Sequence, residues 1–503
     1  MTPASDRVAG VLLHPSSLPG RGIGELGEEA FRFVDWLVGA GQSLWQILPL
    51  VPTSDDGSPY SGLSAVGGNP NLVSLERLQE DGLLTDVDLA PHPVGAEPVD
   101  YAALARWKPA LLGVAWRAFR DGAAAHLRAP FEQFRQAERA WVEELALFLA
   151  LREHFGHRPW REWDDEVRLR EPAALVRWRA RLAEDVERQA FVQFLFARQW
   201  QALRAYANAR GVRIVGDVPI FVAHDSVDVW AHPELFHLDD EGRPTVVAGV
   251  PPDYFSATGQ RWGNPLYRWD VLAARGYDWW VQRFRRTFAQ VDVVRIDHFR
   301  GFDAYWEIPA GEETAVNGEW VPGPGAALFR ALEQELGELP LIAEDLGLIT
   351  PSVEALRDEL GLPGMRVLQF AFGDDGQNPH LPANYPEHTV AYPGTHDNDT
   401  LLGWWAQAEL AQREQAKRLL PPKTGPLHWA LIRLVWESRA SWAIVLVQDV
   451  LGLGNAARLN TPGQCRGNWR WRLQPEQLTP VVQQTLRDLT RAARRDASRP
   501  EKS

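Results

Sequence analysis

A short apolar run, rich in β-branched residues and ending in polar or acidic ones, recurs eight times in this chain. The runs are Val8–His14, Ser43–Leu50, Val212–Ile220, Val291–His298, Leu339–Gly347, Met365–Phe372, Thr389–Asp397 and Ala443–Asp449. Continuous apolar strands are what a parallel sheet covered on both faces requires. Eight of them, alternating with helical patterns, predict an α/β chain folded as a (β/α)8 TIM barrel. The intervening helices are legible. Phe31–Val38 stops at Gly39-Ala40-Gly41, and Phe191–Ala209 ends at Gly211 just before the third run; a glycine just past the last periodic residue is a helix stop.

The connections are uneven. Roughly 160 residues separate the second and third runs, far more than one crossover helix needs. Within one catalytic barrel spanning 1–503, we expect a loop-rich insertion over 52–98 and a helical one over 99–190, the latter including Ala137–Phe155. A shorter insertion is expected over 223–277.

Composition removes several classes of function. A net charge of −14 disfavours a surface that tracks phosphates, so no nucleic-acid partner is expected. No stretch approaches the ~20 apolar residues of a membrane span, and the N-terminal residues carry no signal-peptide pattern. The single cysteine, Cys465, excludes an intramolecular disulfide and a cysteine-built metal site. A cytoplasmic protein without membrane partner is expected. Tryptophan is abundant, at 23 residues; indoles fill cores, but their flat faces also suit the C–H faces of sugars.

In barrel enzymes the catalytic groups sit at the C-terminal ends of the strands. The acids at such ends here are Asp217, Asp297, Glu344 with Asp345, Asp397 with Asp399, and Asp449. Alternation along a strand turns Arg295 and Asp297 the same way, and a neighbouring guanidinium keeps a carboxylate ionised, as a nucleophile requires; a structural Arg–Asp pair would look the same in sequence. Glu344, behind an apolar strand, is placed for a raised pKa and proton donation. Asp397 lies in Gly394-Thr-His-Asp-Asn-Asp-Thr, where Asp399 is read as a helix cap. Three carboxylates from three strands, with Arg295, His298 and His396 beside them, are the equipment of a retaining glycosidase, whose two working carboxyls lie about 5–5.5 Å apart.

Two motifs are decoys. Gly22-Ile-Gly-Glu-Leu-Gly matches G-x-G-x-x-G, but seven residues of His14-Pro-Ser-Ser-Leu-Pro-Gly intervene after the strand, and the next strand lacks the terminal acid of a dinucleotide site. Neither His232 with His237 nor His154 with His157 has the i, i+4 spacing of a zinc hydrolase. No metal and no cofactor are expected.

The whole length then resembles a known family. The segments are Gly10-Val-Leu-Leu-His-Pro-Ser-Ser-Leu-Pro-Gly, Trp45-Gln-Ile-Leu-Pro-Leu, Ser58-Pro-Tyr-Ser, Gly216-Asp-Val-Pro-Ile, Gly249-Val-Pro-Pro-Asp-Tyr-Phe-Ser, Gly259-Gln-Arg-Trp-Gly-Asn-Pro, Arg295-Ile-Asp-His-Phe-Arg-Gly, Ala343-Glu-Asp-Leu-Gly, Gly394-Thr-His-Asp-Asn and Asn460-Thr-Pro-Gly. In this order they resemble the amylomaltases, the bacterial 4-α-glucanotransferases of the α-amylase clan, which implies a barrel with inserted subdomains and no C-terminal β-sandwich. The resemblance implies that Asp297 forms a covalent glucosyl-enzyme, that Glu344 is acid and then base, and that Asp397 holds ring hydroxyls at the transition state. It implies that Arg295, His298 and His396 frame the sugar, and that Ser58, Tyr60, Asp253, Tyr254, Phe255, Gln260 and Trp262 grip the glucan. The implied partners are maltooligosaccharides and starch- or glycogen-type α-1,4-glucans. Where this family often carries Gln, the chain has Ser61-Gly62-Leu63.

From the carboxylates alone, a retaining α-glucan hydrolase and a non-catalytic glucan-binding protein stay open beside transfer. The choice of a sugar rather than water as acceptor comes from the resemblance.

Overall fold

The computed structural model describes residues 6–252, 256–373, 376–420, 425–464 and 466–496. Eight parallel strands form its centre: Val8–Leu12, Leu44–Gln46, Arg213–Pro219, Val293–Asp297, Leu341–Ala343, Gly364–Val367, Thr389–Tyr392 and Trp442–Leu446. Neighbours in sequence are neighbours in the sheet, and the first strand pairs with both the second and the eighth. Between the fifth and sixth strands the ring closes through the Ala343 N–H, which donates to the Pro363 carbonyl at 2.9 Å. Six of the eight apolar runs contain a whole strand, and in the other two the strand begins one residue earlier, at Gly364 and Trp442.

Side-chain alternation sorts the strands' residues between two environments. Val8, Leu12, Leu44, Val215, Val293, Ile342, Met365, Val367, Val390, Tyr392, Trp442 and Ile444 fill one buried cluster, the barrel interior. Their alternates, such as Val11, Trp45, Ile214 and Val294, join the larger core against the helices. Gly10 stands on an inward position because a Cβ there would meet the Leu44 backbone oxygen at 2.6 Å. Residues of the same inward parity at the upper end are polar: Gln46, Asp217, Arg295 and Asp297.

Helices Glu28–Gly39, Ala183–Ala209, Asp278–Gln290, Ala326–Leu336, Pro351–Glu359 and Leu427–Glu437 lie between successive strands. One crossing departs from the expected alternation. Between the sixth and seventh strands the described residues form only the 3-10 turns Leu368–Phe370 and Pro382–Asn384, because Gly373, Pro379, Pro382 and Pro386 interrupt any helix there. Between the second and third strands, the helices Tyr101–Arg120, Arg128–Ala137, Arg139–His154 and Pro172–Arg181 precede Ala183–Ala209. That last helix runs unbroken through residue 190, so one element belongs both to the helical insertion and to the barrel crossover.

A second sheet was not legible in the sequence. Four antiparallel strands stand in the order Gln260–Pro265, Val246–Val250, Ala304–Pro309, Glu319–Pro322. Two come from the loop after the third barrel strand and two from the loop after the fourth.

Beyond the eighth barrel strand the chain ends in helix Pro480–Ala492, tied to the first helix where Gln483 donates to the Trp36 carbonyl at 3.0 Å. Buried Arg495 donates to the carbonyls of Val8, Trp436, Ser438, Ala440 and Ser441. Six of the 23 tryptophans, Trp45, Trp200, Trp230, Trp280, Trp436 and Trp442, are fully buried and structural, whereas Trp262 remains 39% exposed. No described helix is long and apolar enough to cross a membrane.

Candidate active site

At the upper end of the barrel the inward-facing polar residues converge. Arg295, on the fourth strand, donates to Asp297 Oδ1 at 2.8 Å and to Asp217 Oδ2, from the third strand, at 2.6 Å. Both Arg295 and Asp217 are buried, while the Asp297 side chain keeps 29% of its exposure and opens to the mouth. The Tyr60 hydroxyl donates to Asp217 Oδ2 at 2.8 Å and lies 2.9 Å from His396 Nε2. A hydroxyl has one proton, and the carboxylate, already held by Arg295, can only accept it. The Tyr60 oxygen therefore accepts from His396, which fixes the Nε2–H tautomer. The Tyr60 and His396 rings also stack, 5.3 Å apart at 10°.

Asp397 is anchored from the segment that follows the eighth strand. Asn460 Nδ2 donates to its Oδ1 at 2.6 Å, and Arg458 holds its carbonyl at 2.7 Å. His396 Nε2 lies 3.5 Å from the same Oδ1. An unbroken line of polar contacts thus runs from Asp397 through His396, Tyr60, Asp217 and Arg295 to Asp297.

Glu344 follows the fifth strand. Its Oε2 accepts the amide of His298 at 2.7 Å and its Oε1 that of Leu346 at 3.2 Å. His298 adopts a left-handed conformation, φ 52°, uncommon for a residue with a side chain; this bend turns its amide toward the glutamate. The Trp262 ring stands edge-on to the His298 imidazole at 4.8 Å.

Burial dominates the electrostatics. It pushes Asp297 up to about 6, with Asp217 and Asp397 adding to the rise and Arg295 and His396 opposing it. The guanidinium was expected to settle the ionised state; desolvation outweighs it. Burial raises Glu344 well above the ordinary carboxyl range, and the Asp297 charge adds to this. Near neutrality the pair is therefore poised with Asp297 ionised and Glu344 protonated. Burial pushes His298 down to about 3, so its imidazole is neutral.

The remaining sequence candidates divide. Ser58 joins through its neighbour, its hydroxyl accepting the Tyr60 amide at 3.3 Å. Gln260 accepts the Trp262 indole N–H at 3.2 Å. Asp253, Tyr254 and Phe255 lie outside the described residues. Asp345 turns away from Glu344 to Arg357 and the Met365 amide, both at 2.6 Å. Asp399 stands one residue before the helix cap, which is Thr400; it accepts the Thr400 amide, Gln407 and Asn455 instead. Asp449 is buried and accepts the Leu401 amide at 2.7 Å. Among the described residues, no three His, Cys, Asp or Glu side chains are grouped to hold a metal.

Two groups of this site escaped the sequence shortlist, and a third stood on it without a role. Asp217 was one acid among many until its partners, 78 and 157 positions away, came into contact with it. Asn460 carries no signal of its own in sequence. Trp469, left-handed at φ 63°, packs its ring 5.8 Å from Tyr60 and 6.0 Å from His396; a tryptophan amid Gly467, Asn468 and Arg470 was the available clue.

Known proteins of similar sequence and fold identify the family. Residues 13–479 match the 4-alpha-glucanotransferase family profile. The chain is 52% identical to the 4-alpha-glucanotransferase of Thermus thermophilus, over 97% of its own length and 99% of the relative's. It is 51% identical to that of Synechocystis, over 94% and 95%. Amylomaltase from Streptococcus agalactiae, solved in complex with acarbose, superposes with a TM-score of 0.94 at 40% identity, covering 97% of this chain and 99% of that one. The amylomaltase of Corynebacterium glutamicum shares the fold, with a TM-score of 0.78 at 19% identity over 98% and 75% of the two chains. The chain belongs to the 4-alpha-glucanotransferase family and is an enzyme of the amylomaltase type.

Proposed function

We propose that this enzyme transfers α-1,4-glucan segments by a retaining double displacement, with Asp297 as nucleophile and Glu344 as acid and base. The observation that carries the reading is a pair of acids at adjacent strand ends held in different settings. Asp297 is ion-paired to Arg295, while Glu344 has no cationic partner at hydrogen-bond distance among the described residues and is bonded to the amide that follows Asp297. In the first step an Asp297 oxygen attacks C1 of the donor glucose as the C1–O4 bond breaks, and Glu344 gives its proton to the departing oxygen. In the second, the 4-hydroxyl of an acceptor sugar attacks C1, its proton passes to Glu344, and the Asp297 ester is released.

Asp397, fixed by Asn460, is placed to hold ring hydroxyls as positive charge develops at C1. Tyr60 and Trp262 offer ring surfaces to the sugar around the bond, and buried His396 backs Tyr60 from beneath. Maltooligosaccharides and longer α-1,4-glucans are the substrates this mouth is suited to, and the acarbose bound by the Streptococcus relative supports that class.

Maltotriose is the test. Transfer yields a ladder of longer oligosaccharides plus glucose, whereas products only shorter than the substrate would replace this reading with hydrolysis. Asp297→Asn should give no ladder; appreciable turnover by that variant would remove the nucleophile assignment.

A further inference from the structure

Arg300 takes no part in the reaction described above, yet it is buried, 6% exposed, one turn beyond Asp297. It lies in the 3-10 turn Phe299–Phe302. Its guanidinium donates to the Leu348 carbonyl at 2.5 Å and sits 3.7 Å from the centre of the Trp320 ring. It thereby joins three pieces of chain: the turn after the fourth barrel strand, the loop after the fifth, and the outer strand of the antiparallel sheet.

Two of those pieces supply the donors that hold Glu344. The His298 amide begins the first and the Leu346 amide lies in the second. Backbone bonds tie the turn to Glu344 itself, where the Phe299 amide donates to the Glu344 carbonyl at 3.2 Å and the Glu344 amide to the Ile296 carbonyl at 3.1 Å; past Glu344, the Arg300 guanidinium is one side-chain link from the turn to the loop that carries Leu346 and Leu348. A second link between them is weaker and more exposed, where Ser352 donates to Asp303 Oδ2 at 2.8 Å.

We propose that Arg300 is a positioning residue for the acid/base step, clamping the Leu348 loop to the His298 turn so that both amides converge on the Glu344 carboxylate. A guanidinium suits this task because it can donate in its plane to a carbonyl while its face lies on an indole. The proposal rests on the assignment of Glu344 as acid/base.

The test separates a step that needs the acid from one that does not. With maltotriose as donor, the leaving sugar oxygen must be protonated as the C1–O bond breaks. With α-maltotriosyl fluoride, fluoride departs with little help while Asp297 forms the same ester. In Arg300→Ala, first-turnover release of the leaving sugar should slow about tenfold, a fraction of full acid catalysis because the Ser352 link remains, and fluoride release by no more than about threefold. The His298 amide favours the ionised form of Glu344, so loosening it should move the basic limb of kcat/KM to higher pH. The other charged groups near Glu344, namely Asp297, Arg295 and Asp345, are unchanged in this variant.

Equal losses on both donors, or no loss, would overturn the proposal. Glu344→Gln run in parallel separates the two layers: rescue by the fluoride upholds the acid assignment, and no rescue removes it and the role of Arg300 together. If Arg300→Ala does not fold, Arg300→Gln, too short to reach Leu348, is read by the same donor ratio.

Discussion

Asp297 and Asp217 share one guanidinium, and this makes the acid limb of activity adjustable from a residue that never meets the sugar. Arg295 holds the two carboxylates at 2.8 and 2.6 Å, which places their charges roughly 6 Å apart. At that distance one negative charge raises the energy of the other by about 1.5–3 kcal/mol for an effective dielectric of about 20 to 40. That corresponds to about one to two pH units. The sign follows from the chemistry: Asp217 adds to the rise that brings Asp297 to about 6, so Asp217→Asn removes a repulsion and leaves Arg295 to Asp297 alone. The kcat/KM profile for maltotriose should lose activity below about pH 6 in the natural enzyme, since it reports the free-enzyme nucleophile. In Asp217→Asn that limb should move down by about one to two units, while the plateau falls because Tyr60 and Arg295 lose a shared anchor. A profile measured from pH 4 to 9, with thermal unfolding as a check on folding, decides the matter. A limb that stays in place or moves upward would refute the coupling.

Burial pushes Asp449 from 3.8 up to about 7, and the folded protein then retains a proton that the unfolded chain gives up. The stability due to that proton is present at acid pH and is lost as pH rises from about 4 to about 7, by up to about 4 kcal/mol. Asp449→Asn should therefore gain on the natural enzyme across that interval in denaturant unfolding; parallel pH profiles would contradict it. Asn460→Ala removes a short bond to Asp397, of a class worth about 1.5–3 kcal/mol. Its kcat on maltotriose should fall by roughly tenfold with KM less affected, and an unchanged kcat would mean that Asp397 needs no such anchor.

The barrel was readable because the strands carry apolar residues on both faces below their polar upper ends, and a continuous run of that kind has few other uses. Arg295, Asp297, Glu344 and Asp397 were readable because acids behind such runs must lie at one mouth. The antiparallel sheet was not, since Gln260–Pro265 is mostly exposed and polar, and its sheet includes strands some 40 residues further on. Local periodicity holds no information about such pairings. The same limit left Asp217 and Asn460 without a role, since each takes its meaning from a partner far away in sequence, and gave Asp345, Asp399 and Asp449 equal standing with acids that face the mouth. The missing sixth crossover helix could have been read from its prolines.

The first strand, Val8–Leu12, is hydrogen-bonded on one side to the eighth, Trp442–Leu446. During synthesis that partner is about 430 residues away, and at about 5–20 residues per second the wait is roughly 20 to 90 s. For that time a fully apolar strand has one edge without its mate, the condition under which chains join one another instead of themselves. The polar clasp of Arg495 onto the Val8 carbonyl comes later still. Recovery of this enzyme from an expressing cell is thus governed by how long that edge stays covered by other means, and slower synthesis or chaperone supply will matter more than the stability of the finished barrel.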